Sequence, residues 1–127
     1  MALFRFRTRN PIRDRQTDES RLERLRRMLH EFQADIEHER DGLRARYEGI
    51  MADAAFSQQA LEDDRADDNI SARIDDMTET MIRYNKRIAL LESQIAFVTD
   101  LDRKAVRFFE ENKEDGAADE RAGQVSF

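Results

Sequence analysis

The chain has 127 residues and 15.0 kDa, with one Pro, four Gly and no Cys, about one domain's worth of sequence. The missing cysteines exclude a disulfide scaffold, a thiolate metal site and a Cys nucleophile, and so little Pro and Gly argues against a many-turned β-sandwich or barrel. Charged and hydrophobic residues each make up 39%, the net charge is −6, and no apolar run approaches the ~18 residues of a membrane span or forms a secretory core segment.

The charge changes along the chain: +4 over 1–16, −3 over 17–61, −4 over 62–69, −1 over 70–112 and −2 over 113–127. Residues 1–16 therefore read as a basic N-terminal arm. Within it Arg5, Phe6, Arg7, Arg9, Arg13 and Arg15 mix cations with aromatics beside Leu3 and Phe4. This mixture suits a phosphate backbone with base stacking. It equally suits an anionic membrane surface, an acidic groove on a protein partner, or strand addition to a partner's sheet edge. A plain solubilising tail is the bland alternative.

Helix signals begin at Thr17-Asp18-Glu19 and again at Ser20-Arg21-Leu22-Glu23, two candidate N-terminal caps. From there Leu22, Leu25, Leu29, Phe32 and Ile36 step by 3 and 4, and Leu43, Tyr47, Ile50, Ala54 and Leu61 follow. This predicts an amphipathic, coiled-coil-type helix over 17–62. A 4–4 step between Arg40 and Tyr47 reads as a stutter, with Glu39 or Arg40 in the empty core slot.

Residues 63–69 lie in the acidic stretch EDDRADDN, whose Asp and Asn cap helices better than they extend them. The repeat also loses phase here, so the segment is read as a turn. Over 70–112 the pattern is cleaner. Ile70, Met77, Tyr84, Leu91, Val98 and Ala105 alternate with Ile74, Met81, Ile88, Ile95, Asp102 and Phe109, about six heptads with Asp102 as the polar intrusion. Residues 113–127, opened by Gly116, read as a flexible acidic tail.

In an antiparallel pair, facing residues have a constant index sum. A sum of 131 pairs Leu22 with Phe109, Ile36 with Ile95, Leu43 with Ile88, Tyr47 with Tyr84 and Leu61 with Ile70, and it puts the fold-back at the acidic segment. The expected fold is all-α: a long antiparallel helical hairpin of coiled-coil type, each arm roughly 60 Å at 1.5 Å per residue. Folding back brings Arg24 and Arg27 beside the basic arm at the open end, with the acidic turn at the far tip.

One seam leaves much apolar surface uncovered. Leu90, Phe97, Leu101 and Phe108 form an extra stripe, which predicts a homo-oligomer, a dimer first, closing a four-helix bundle. Cover by the arm's own Leu3, Phe4, Phe6 and Ile12 is the competing expectation.

Candidate chemistry is sparse. Glu31, Asp35 and His38 share a helix face, and Asp35-x-x-His38 has the carboxylate-x-x-His spacing of di-iron bundles. The second helix has no His, however, and the stretch reads as a solvated face. Glu39 and Asp102 are read as polar residues that set the seam's register. The index sum places Asp102 near Leu29, and so near Arg26 and His30. No phosphate loop, nucleophile elbow or paired acid and base occurs. The sequence thus predicts a cytoplasmic, non-enzymatic interaction protein without cofactor or metal. Such a scaffold, adaptor or chaperone-like module would self-associate through its helices and contact a protein partner through its Arg-rich open end. Nucleic acid or an anionic membrane are the other partners the arm suits.

Overall fold

The computed structural model describes residues 10–63 and 69–124, with side chains to Lys113. Among the described residues the protein is all-α, two long helices packed against each other as a hairpin. They are α1, Pro11–Glu62, and α2, Asn69–Gln124. Residues 64–68, at the centre of the expected acidic turn, lie outside the described residues.

Both helices outrun the expected boundaries. α1 starts six residues before Thr17, and the cause is local. Asn10 accepts the Ile12 amide on Oδ1 at 3.0 Å, and Pro11 takes the first helical position, where its missing N–H costs nothing. The Asp14 amide closes the first turn on the Asn10 carbonyl at 3.1 Å. Thr17, expected as a cap, donates its hydroxyl to the Arg13 carbonyl one turn back, at 3.0 Å. α2 continues past Asn112 to Gln124, where an irregular tail was expected. Gly116 and Gly123 each cost roughly 1 kcal/mol in a helix, and Ala117, Ala118, Glu120, Arg121 and Ala122 offset part of it with good helix propensity.

The seam shows one phase throughout. On α1 the shielded positions include Leu22, Arg26, Leu29, Gln33, Ile36, Arg40, Leu43, Tyr47, Ile50, Ala54 and Ser57, which alternate by 4 and 3. On α2 they include Ile70, Ile74, Met77, Met81, Tyr84, Ile88, Leu91, Ile95, Val98, Asp102, Ala105 and Phe109, as the sequence predicts.

The α1 reading needs three corrections. Leu25 and Phe32 are not core but 45% and 50% exposed. The stutter is absent from the burial pattern. Arg40, not Glu39, takes the empty slot, while Glu39 is exposed. All three have one cause. α2 repeats every seven residues without a break, and knobs of α1 fit its holes only if α1 keeps the same period. Tyr47 and Ala54 fix the second seam position four residues after Leu43 and Ile50. Extended N-terminally, that phase falls on Arg40, Gln33 and Arg26. Leu61, expected opposite Ile70, is also exposed.

Contacts divide the chain into two units, Met1–Phe32 with Val98–Phe127, and Gln33–Phe97. In the first, Leu29 and Val98 are buried, and Arg26 reaches across to Asp102. In the second, Leu91 is fully buried with Ile88 close behind. There Arg87 bonds both carboxylate oxygens of Glu39 at 3.1 and 3.0 Å, and Arg44 pairs with Glu92. The index sums of these pairs, 126 for Glu39 with Arg87 and 136 for Arg44 with Glu92, straddle 131 because long side chains reach about one turn either way.

Candidate partner interface

Two helices joined by one seam each have two flanks, and the heptad decides what each flank carries. In an antiparallel pair the positions just before one core residue of each helix meet on one side, and those just after the other core residue meet on the opposite side. Ion pairs identify the sides in the second unit, with Glu39 and Arg87 on one and Arg44 and Glu92 on the other.

In the first unit one flank of each helix is apolar. Leu25 and Phe32 on α1 each stand just before a seam residue, Arg26 and Gln33, and Leu101 and Phe108 on α2 just before Asp102 and Phe109. Met28 lies one turn from both Leu25 and Phe32. None of these is covered: Phe108 is 70% exposed, and Met28, Phe32 and Leu101 are exposed as well. The opposite flank carries Glu23, His30, Thr99 and Val106.

At the end of this unit the two helices leave an open groove of about 770 Å³. Leu22, Leu25, Ala105, Phe108 and Phe109 line its apolar part, and Asp14, Arg15, Asp18, Arg21, Asn112 and Lys113 surround it. Leu22 and Phe109, paired by the sum 131, line it together. Asp18 and Arg21 form an ion pair at 3.7 Å on the α1 wall.

Inside the seam, Arg26 donates from Nε to Asp102 Oδ1 at 2.9 Å and from Nη2 to Oδ2 at 3.2 Å. His30 Nε2 stands 3.5 Å from Oδ2. The hydrogen bonds from Arg26 hold the Asp102 carboxyl below the usual Asp range, against the opposing pull of burial, and His30 adds to the lowering. Reciprocally, the Asp102 bond raises the Arg26 guanidinium further.

The remaining sequence candidates fall as follows. Arg5, Phe6, Arg7 and Arg9 lie outside the described residues, as do Leu3 and Phe4. Arg13, Arg24 and Arg27 are exposed, whereas Arg15 is half-buried at the groove. In the proposed oligomer stripe, Leu101 and Phe108 stand on the side shared with Leu25, while Leu90 and Phe97 are exposed further out on α2. Glu31, Asp35 and His38 do not converge, and no cluster of three metal-ligating side chains occurs among the described residues. No helix among the described residues is long and apolar enough to cross a membrane.

Sequence reasoning missed the groove, and it missed that Leu25 and Phe32 are surface. The available signal was Tyr47 and Ala54, which fix a phase that excludes both from the seam. The site is thus an uncovered apolar helical face beside a polar seam layer. No family model, curated protein or solved structure matches the chain.

Proposed function

We propose that this protein is a non-enzymatic interaction module of the cytoplasm, a scaffold, adaptor or chaperone-like coiled coil. It self-associates through its helices, a dimer closing a four-helix bundle, and contacts a protein partner through its Arg-rich open end. The observation that carries this reading is the uncovered side formed by Leu25, Met28, Phe32, Leu101 and Phe108.

Magnitudes support it. A folded monomer of this mass exposes about 7,000 Å², whereas this chain exposes 10673 Å². A stable interface removes only about 800 Å² per partner, well within that excess. With half of Phe32 and 70% of Phe108 exposed, the two rings alone leave on the order of 250 Å² in water, given about 200 Å² per aromatic side chain. Exposed Arg13, Arg24 and Arg27 at the same end carry cationic contact surface.

Light scattering of the full chain tests the reading. The wild type is expected at the mass of two chains and Phe32→Glu/Phe108→Glu at the mass of one, with helicity unchanged because both positions are exposed. A wild type that stays monomeric across concentration defeats the proposal.

A further inference from the structure

In the first unit the seam includes Leu22 and Leu29 of α1 and Val98 and Ala105 of α2. Each of these is followed at three residues by an exposed apolar side chain, Leu25, Phe32, Leu101 or Phe108. At four residues it is followed by the side chain that the seam takes instead, Arg26, Gln33, Asp102 or Phe109. A 3–4 repeat accepts either choice. Turning each helix about 50° on its own axis towards the apolar flank, the two in opposite senses, exchanges one set for the other.

The exchange keeps the helices antiparallel and moves the index sum by one. A sum of 131 sets Arg26 opposite Ala105 and Leu29 opposite Asp102. A sum of 130 sets Leu22 opposite Phe108, Leu25 opposite Ala105, Leu29 opposite Leu101 and Phe32 opposite Val98. All four layers are then apolar. Carried further, the same sum pairs Ile36 with Gln94 and Glu39 with Leu91, so the second seam belongs to the first unit alone. Its cost lies in the helix phases. α1 must take a 4–4 step through Phe32, Ile36 and Arg40, and α2 a 3–3 step through Ile95, Val98 and Leu101, which locally unwind and overwind a coiled coil. The polar seam has in addition the two bonds from Arg26 to Asp102, which only the sum 131 brings level.

We infer that the Arg26–Asp102 pair is a latch between two packings of the first unit. Closed, it holds the polar seam and keeps Leu25, Phe32, Leu101 and Phe108 outward. Released, it lets both helices turn into the apolar seam and takes those four side chains inside. The hairpin thereby carries a means of withdrawing the face on which the proposed self-association rests. The latch itself does not depend on a second copy.

The chain has no native Cys, so a single introduced thiol reports its own cover. Phe108→Cys lies on the exposed apolar flank, and Val106→Cys on the opposite flank at a half-buried position. Each is made in the wild type and in Arg26→Ala/Asp102→Ala. The rate of reaction with a small maleimide is measured at high dilution, where cover by a second copy is lost. Removing the latch should slow the Phe108→Cys thiol and speed the Val106→Cys thiol, so that the ratio of the two rates falls at least threefold. A smaller fall overturns the inference. So does reaction of both thiols at the rate of an unfolded chain in Arg26→Ala/Asp102→Ala, because an apolar seam that exists would hold the unit together without the latch.

Discussion

Arg26 of α1 holds both carboxylate oxygens of Asp102 of α2 from within the seam, two bonds of 2.9 and 3.2 Å between residues 76 apart in sequence. The Asp102 side chain is only 18% exposed, while that of Arg26 is 41% exposed. A charge placed where a Leu would fit gives up apolar contact, and its return is specificity, since only one register matches it with its base. Asp102→Leu should therefore raise the melting temperature, by about 3 °C or more, because Arg26 can turn its head to water. It should also loosen register, read as extra species in crosslinking between helices. A lower melting temperature with unchanged pairing would contradict this role.

Asp102 also fixes an acid dependence. Its carboxyl titrates below the unfolded value because Arg26 hydrogen-bonds the charged form. A lowered folded pKa gives stability that is present above the unfolded pKa, about 3.9, and lost as pH falls through the folded one. The melting-temperature difference between wild type and Asp102→Asn should thus shrink as pH falls below about 4. A difference that grows below about pH 4 would refute the assignment.

Leu91 is the fully buried side chain of the second unit, at 0% exposure. Leu91→Ala should destabilise by about 2–4 kcal/mol, transfer cost plus cavity. Phe56→Ala, at a side chain 78% exposed, should change stability by no more than about 0.5 kcal/mol. Chemical denaturation measures both, and comparable losses would mean that Leu91 is not central to the seam.

The start of α1 predicts a cap. Asn10→Ala should cost about 1 kcal/mol and speed amide exchange over the first turn after Pro11. Thr17→Ala should leave exchange there unchanged, because its hydroxyl bonds backward within the helix. Faster exchange in Thr17→Ala than in Asn10→Ala would move the helix start back to the Thr17 box.

The hairpin was legible because α2 announces its heptad without interruption and because one index sum aligned the two apolar patterns. α1 was harder for a physical reason. Its N-terminal half offers two phases after each of Leu22, Leu29 and Ile36, one apolar with Leu25 and Phe32, the other polar with Arg26, Gln33 and Arg40. Local hydrophobicity selects the first, whereas meshing with α2 selects the second. That choice also decides the candidate interface, since Leu25 and Phe32 become surface only when the polar phase is in the seam. The neighbourhood of Asp102 could be read from the same index sum that pairs the helices. The helix ends could not. Asn10-Pro11 competed with two other cap signals, and an Ala-rich tail with two Gly is ambiguous between helix and coil.

The facing of Arg26 and Asp102 is the point on which hairpin, seam phase and exposed apolar side all depend, and a charge swap tests it. Arg26→Asp alone puts two carboxylates together and should lower the melting temperature, as should Asp102→Arg by pairing two cations. Arg26→Asp/Asp102→Arg should recover most of the combined loss. If the double variant melts at the sum of the two single losses, residues 26 and 102 do not meet, and the seam runs in another phase.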